Sequence, residues 1–492
     1  MLGLLDQVDT VRLAAGERIS PQRKSEFGQF MTPASVAGFM ASLFPACSLD
    51  TARLLDAGAG VGSLTSAFLD RWSAGGFDFR RVEVSVHEID DVLRDHLSHT
   101  LARYAAELDL GVEIMSGDFI EWAVNRIQFG GSPRFTHAIL NPPYKKIGSH
   151  SRHRLLLRHA SIETVNLYSA FVALAVALME RGGQVVAIVP RSFCNGPYYR
   201  PFREYLLARA AIRHIHLFAS RDKAFRDDQV LQENIVIRLE CGGEQGEVTV
   251  STSTDDSFAD HASHAYPFEQ IVFPGDPERF IHVPASPERN AAGLSVPFNC
   301  SLAEIGVEVS TGPVVDFRAR EFLREMPEQG AVPLLYPAHF TGQSMEWPKA
   351  GMKKPNALML RPETEKWLYP NGFYAVVRRF SSKEEKRRIM AAVVRPDALD
   401  SPLLGFENHL NVFHCRKQGL PEDLALGLSV YLNSTLVDEC FRRFSGHTQV
   451  NATDLRLMKY PSREALMDLG RRAGRHSMLT QEQIDQGLDS IL

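Results

Sequence analysis

The chain has 492 residues, 44% of them hydrophobic and 23% charged, a length that points to two or three domains rather than one core. Its formal net charge of −5 excludes a uniformly basic nucleic-acid-coating protein, so any grip on a phosphate backbone must come from local basic surface. The six cysteines, Cys47, Cys194, Cys241, Cys300, Cys415 and Cys440, are scattered, which argues against a zinc ribbon or a disulfide framework and fits a reducing compartment. With no secretory leader and no apolar run long enough to span a bilayer, a cytoplasmic protein without a membrane partner is expected.

In the N-terminal half, short apolar strands are predicted over 53–56, 82–88, 112–115, 137–140, 184–189, 212–217 and 233–239. Helical patterns lie at 36–43, 64–72, 90–108, 167–180 and 202–209. Strands joined by crossover helices predict a three-layer α/β domain whose ligand sits beyond the C-terminal strand ends. Residues 251–265 are small and polar and read as an exposed loop or weak boundary. From about 301 the runs shorten, broken by Pro and Gly, and a helix is predicted over 422–443 behind Pro421. The expected layout is a first domain over 1–250, a linker or extension over 251–300, a second domain over 301–461 and a polar tail over 462–492 with one or two short helices.

LLDAGAGVGSLT (54–65) joins an apolar strand to an acid, Asp56, and a turn in which Gly58 and Gly60 allow close approach of a ligand. The second strand ends in HEID. Glu88 is placed to accept ribose hydroxyls, whereas Asp90 fits a helix cap. In SGDF, Asp118 is a candidate acceptor for an adenine amine and Phe119 a candidate ring contact. Upstream, FGQFMTP places Phe27 and Gly28 ahead of Thr32 and Pro33. Thr32 is expected to cap a helix that Pro33 opens, leaving backbone donors for a carboxylate.

The sharpest feature is Asn141-Pro142-Pro143-Tyr144, directly after the strand ending at Leu140. The prolines stiffen the backbone and leave carbonyls as pure acceptors. The lone pair of an aromatic amine is delocalised into its ring. Two acceptors, the Asn141 side-chain oxygen and the Pro142 carbonyl, would draw its N–H bonds toward tetrahedral geometry and release that pair for attack on a methyl group. Tyr144 would stack on the target base, and Phe225 would supply its other face after the base leaves the duplex. No metal is required.

The order FGQFMTP, LLDAGAGVG, HEID, SGDF, NPPY, NLYSAF and GGQVVAIVP resembles the gamma group of amino-methyltransferases. More narrowly it is similar to the adenine-N6 methyltransferases of type II restriction–modification systems. The resemblance covers about 24–239 and extends to TGPVVDFR and FSGHTQVNATDLRLMKYP. It implies a Rossmann-like seven-stranded methyltransferase sheet followed by a C-terminal α+β DNA target-recognition domain. It also implies S-adenosyl-L-methionine as cofactor, double-stranded DNA with a short specific site as substrate, and a separate cognate restriction endonuclease. Phe27 to Pro33 would then lie near the methionine moiety. Asp56, Gly58 and Gly60 would line the central pocket, Glu88 would bind ribose, and Asp118 with Phe119 would hold adenine. Residues 166–171 would support the site.

DNA readers draw on Arg, Lys, Asn and Gln. The second domain offers Lys349, Lys353, Lys354 and Asn356. It also offers Arg378, Arg379, Lys383, Lys386, Arg387 and Arg388, and a polar patch of His447, Thr448, Gln449, Asn451 and Thr453. The same NPPY chemistry would serve an RNA or protein amine methyltransferase, and a non-catalytic DNA-binding scaffold is the reading from another class. A monomer is the default, with a dimer possible.

Overall fold

The structure, a computed structural model, describes residues 3–18, 31–130, 134–218, 233–284, 298–381, 385–444, 449–474 and 479–491. The chain forms two compact units, Met1–Pro287 and Glu288–Leu492.

The first unit is built on a sheet of β1 (Thr51–Ala57), β2 (Arg81–His87), β3 (Leu110–Met115), β4 (Phe135–Leu140), β5 (Met179–Pro190), β6 (Ala210–Phe218) and β7 (Asn234–Cys241). The strand order is β3-β2-β1-β4-β5-β7-β6. Pairing is parallel from β3 through β5, and β7 runs antiparallel between β5 and β6. All six residues of β4 are buried, as expected where helices cover both faces of a parallel sheet. The order reverses between β1 and β4, so the turn after β1 and the loop after β4 open onto one crevice. The helices are α1 (Leu5–Arg18), α2 (Ala34–Ser42), α3 (Ser63–Ser73), α4 (Asp91–Ala105), α5 (Phe119–Phe129), α6 (Arg152–His159), α7 (Leu167–Leu178) and α8 (Arg200–Leu207). Of these, α1, α5 and α6 were not anticipated.

The structure corrects part of the reading of 251–265 as an exposed loop or weak boundary: residues 254–261 form a loop, but strands flank it. Strands β8 (Val248–Ser253) and β9 (Ala262–Tyr266) extend the sheet to nine strands, and β8 crosses position 250, where a domain end was expected. The polar sequence hides this strand because its inward hydroxyls are paired. Ser251 Oγ lies 2.7 Å from His214 Nε2 and 2.8 Å from His216 Nδ1, and Ser253 Oγ lies 3.1 Å from His216 Nε2. Burial pushes both imidazoles down, to about 4 and about 3, so they pair as neutral rings.

The second unit is α+β. A four-stranded antiparallel sheet runs in the order Glu308–Thr311, Leu410–His414, Tyr374–Arg378, Ala391–Val394. A five-stranded sheet runs Leu323–Arg324, Ala357–Met359, Ala331–Leu335, Leu403–Phe406, Leu368–Pro370. The helix expected over 422–443 is two: α9 (Glu422–Leu432) and α10 (Thr435–Phe444). Between them the Asn433 side chain bonds both backbone groups of Ala391, at 3.0 and 2.8 Å. After α11 (Ala452–Leu457), the stretch read as a tail folds as α12 (Arg463–Ala473) and α13 (Gln481–Asp489). It buries Leu466, Leu469, Ala473, Ile484 and Leu488 in the same core as Leu424 and Leu428, so it is structural rather than appended.

Candidate active site

The turn after β1 is held open by glycines at positive φ: +83° at Gly58, +59° at Gly60 and +93° at Gly62. Such angles cost a side-chain-bearing residue about 1 kcal/mol or more. His87 O accepts from Gly58 N and Ala59 N, each at 2.9 Å. Glu88 ties the two strand ends together: its Oε2 accepts from Gly60 N at 2.7 Å and its Oε1 from Asp90 N at 2.8 Å. Burial raises the Glu88 carboxyl above its ordinary value, against these N–H bonds. Asp90 caps α4 through Val92 N and Leu93 N, which separates the two acids as the sequence suggests.

Gly58, Gly60 and Glu88 line one cavity with Asp118, Phe119, Phe171, Thr32, Asn141 and Pro143; its volume is about 480 Å³, within the range of cofactor pockets. Met31 and Leu93 add apolar wall, and Ser151 and His153 of the α6 region line it as well. Acceptors at Glu88 and Asp118, apolar surface at Phe119, and a glycine turn where added Cβ atoms would crowd a ligand fit an adenosyl cofactor. Phe27, Gly28 and Phe225 lie outside the described residues.

Asp56 does not line this cavity. It is fully buried beneath the turn, its Oδ2 accepting from Thr65 Oγ1 at 2.6 Å while Oδ1 has no hydrogen-bond partner. Burial, aided by the Glu88 charge, lifts its pKa to about 7 against the Thr65 hydrogen bonds. The native state therefore holds this proton more tightly than the unfolded chain, whose carboxyl titrates near 4. Stability is lost as pH rises through the window from about 4 to 7, by roughly 4 kcal/mol in all. Asp56→Asn should flatten that slope. Its denaturation midpoint is expected to exceed wild type at pH 8 but not at pH 5, as measured by urea titration at both values.

The loop after β4 is held by two side chains, the Tyr144 hydroxyl being shared between two acceptors. Asn141 Nδ2 donates to Thr32 Oγ1 at 3.0 Å, and Tyr144 Oη donates to Asn141 Oδ1 and to Ile188 O, each at 3.4 Å. These contacts set the orientation of the amide. Beyond the loop, Ile147 N bonds Val165 O and Leu167 N bonds Lys145 O, both at 2.8 Å, which joins the loop to the start of α7. Asn141 and Pro143 face the cavity, and Gly58 approaches the backbone oxygen of Asn141. Pro142 is buried. The Tyr144 ring is half-buried, edge-on to Tyr168 at 6.2 Å between centroids.

Thr32 departs from its expected role. The α2 cap position is Pro33, without a side-chain cap, and Asp9 Oδ1 of α1 accepts from Ala34 N at 3.0 Å. The acid from α1 thus takes a donor expected to remain for a ligand, and buried Thr32 turns to Asn141 instead.

At the far end of the cavity Asp118 caps α5, its Oδ1 accepting from Glu121 N at 3.0 Å, and its Oδ2 lies 2.8 Å from His153 Nε2. Burial raises the Asp118 carboxyl, but the His153 and backbone hydrogen bonds outweigh it and hold it below its ordinary value. Nothing in the basic run SRHRLLLRH singled out His153.

In the second unit Lys353 and Lys354 are exposed, Lys354 pairing with Asp316 at 2.5 Å. Arg378 pairs with Glu385 at 2.5 Å. Arg379 reaches Asn408 O and Gln449 Oε1, both at 3.3 Å. Asn451 bonds Asp454 through its backbone and side-chain nitrogens, at 2.9 and 3.2 Å, at the start of α11. His447, Thr448 and Lys383 lie outside the described residues. Two expected DNA-facing groups, Asn356 and Arg388, are internal, and a third, Arg387, is half-buried. Asn356 is buried and bonds Lys349 N, His339 Nε2 and Glu325 O. Arg387 reaches Ser434 O. Arg388 is buried, with Nε on Ser381 Oγ. Beside Arg379, Phe380 is 47% exposed and packs on His409, a surface aromatic the sequence reading missed.

Among the described residues no helix is long and apolar enough to cross a membrane, and no cluster of His, Cys, Asp or Glu could hold a metal. Residues 64–225 match the model of the Eco57I restriction-modification methylase family. The chain is 53% identical over 499 residues to the type II methyltransferase M.BsuBI of Bacillus subtilis, covering 100% of this chain and 99% of that protein. It is 42% identical over 493 residues to the type II methyltransferase M.PstI of Providencia stuartii, covering 99% and 96%. Among solved structures, the fold resembles that in a DrdV–DNA complex, with a TM-score of 0.51 at 13% identity over 92% of this chain. This chain spans 58% of that longer one. With full-length relatives at these identities and the motifs gathered on one cavity, the chain belongs to the gamma-class type II DNA methyltransferases of restriction–modification systems: S-adenosylmethionine-dependent, site-specific and directed at adenine N6.

Proposed function

We propose that Asn141 Oδ1 and the Pro142 carbonyl receive the two N–H bonds of an adenine flipped from double-stranded DNA. The observation that carries this reading is the Asn141 amide, oriented between Thr32 and Tyr144 at the edge of the cavity that holds Glu88 and Asp118. A carbonyl oxygen accepts along two directions, so the Tyr144 contact is compatible with a second donor. Pulled out of the ring plane, the N6 lone pair becomes nucleophilic. S-adenosyl-L-methionine, when bound, supplies the electrophilic sulfonium methyl. The methyl group would pass to N6 with the C–S electron pair left on sulfur, and N6 would lose one proton to water while Asn141 Oδ1 and the Pro142 carbonyl hold its N–H bonds. Catalysis is then orientation and preorganised polarity. Glu88 binds the cofactor's ribose, Asp118 its adenine amine with Phe119 against the ring, and the Gly58–Gly60 turn admits the central part. Thr32 and Pro33, with Phe27 and Gly28, flank the methionine end. Tyr144 and Phe225 hold the target base.

The second unit is the target reader, with Lys353, Lys354, Arg378, Arg379, His447, Gln449 and Asn451 facing DNA. A separate restriction endonuclease cuts unmodified copies of the same short site, and the pair works in the cytoplasm, where the six free cysteines stay reduced. The test is plasmid DNA from expressing cells, sequenced by single-molecule polymerase kinetics. N6-methyladenine at one short duplex motif is expected. Unmodified DNA, or methyl groups on cytosine, would sink the assignment of roles.

A further inference from the structure

We propose that His153 is a positioning residue for the cofactor's adenine ring, holding the Asp118 carboxylate at the angle from which it accepts the exocyclic amine. The proposal deepens, and rests on, the reading of Asp118 above.

Asp118 has two tasks. It caps α5 through Oδ1 and faces the cavity between Gly117 and Phe119. A cap bond alone fixes one oxygen and leaves the carboxylate to rotate about it. The 2.8 Å contact from His153 Nε2 to Oδ2 pins the second oxygen and with it the carboxylate plane. Each oxygen accepts along two directions, so both contacts leave room for the amine.

His153 is itself well supported. Ser151 Oγ accepts from Arg154 N at 3.3 Å and caps α6. Arg152 pairs with Glu121 of α5, and Gln128 of α5 donates to His159 O at 3.3 Å. These links flank His153 on α6 and tie it to α5 over the turns that follow Asp118. His153 and Asp118 both line the cavity and touch each other, so the start of α6 stands beside the place where the amine must sit. The charged and titratable groups that act on this pair are Arg152 and Glu121 on His153, and His87 on Asp118. A supporting contact of this kind converts a surface carboxylate into a directed acceptor.

The test uses the full chain and two ligands: S-adenosylhomocysteine, and its analogue with hydrogen in place of the exocyclic amine. A hydrogen bond to a charged acceptor is worth roughly 10- to 100-fold in affinity, so wild type should prefer the adenosyl ligand by about that factor in calorimetric titration. His153→Ala should collapse the preference to about threefold or less and leave affinity for the analogue unchanged. His153→Gln, whose amide can donate, should recover part of it. KM for S-adenosylmethionine should rise in His153→Ala with kcat unchanged. Equal weakening of both ligands would mean that His153 only supports α6, and would overturn the proposal. An undiminished preference in His153→Ala would overturn it while sparing the Asp118 reading. A wild-type enzyme with no preference would remove the Asp118 reading and the proposal together.

Discussion

Asn141→Ala is expected to lower kcat by roughly 10²- to 10³-fold, the usual cost of losing one oriented polar group at a reacting centre, with little change in cofactor affinity. The variant deletes an acceptor the fold takes trouble to aim: Thr32 holds the amide nitrogen and Tyr144 the amide oxygen. The Gly58–Gly60 turn and Glu88 follow the ends of β1 and β2, so cofactor binding has no reason to fail. Single-turnover methyl transfer alongside cofactor titration separates the two. Thr32→Val should produce a smaller fall, about 5- to 10-fold, because one neutral hydrogen bond worth ~1 kcal/mol is lost while the acceptor remains. An alanine variant with near-normal kcat would show that Asn141 is only a turn residue.

The strands were legible wherever both faces of the sheet are covered, since FTHAIL and VVAIV are then apolar at nearly every position. Strand β8 was not, because beside Val248 and Val250 its buried residues are serines paired with histidines from a neighbouring strand. The carboxylates divided cleanly: Glu88 at a strand end and Asp90 at a helix start could be told apart by local rules. Thr32 could not be placed that way. Capping preference describes a helix by itself, and Asp9, 25 residues before Ala34 in the chain, supplied the oxygen instead. Charge in the second unit misled for a related reason. Arg388 and Asn356 look like DNA-facing groups until the fold buries them against internal partners. His153 was invisible because its partner is 35 residues away.

The second large effect lies far from the chemistry, where α9 crosses α12. A Cβ placed on Gly427 would stand 1.8 Å from Leu466 O, and one on Gly470 would stand 1.7 Å from Asp423 O. Both obstacles are backbone, so no side chain can swing aside. Helix propensity alone favours alanine over glycine by about 1 kcal/mol, but either substitution must drive the helices apart and loosen Leu424, Leu428, Leu466 and Leu469, all buried at the same core. Overpacking of this kind costs ~1–3 kcal/mol or more, and separating two backbones belongs at the upper end. Gly427→Ala and Gly470→Ala should therefore destabilise the second unit by ~2–4 kcal/mol net. Gly487→Ala in α13 is the control. Its nearest neighbour is Leu469 Cδ2 at an ordinary 3.6 Å, so it should be neutral or stabilising. Urea denaturation followed by limited proteolysis would place the loss in residues 288–492, while cofactor binding, whose proposed residues all belong to the first unit, should persist in the crossing variants after DNA methylation has failed. Crossing variants as stable as the control would show that α9 and α12 do not meet at these glycines.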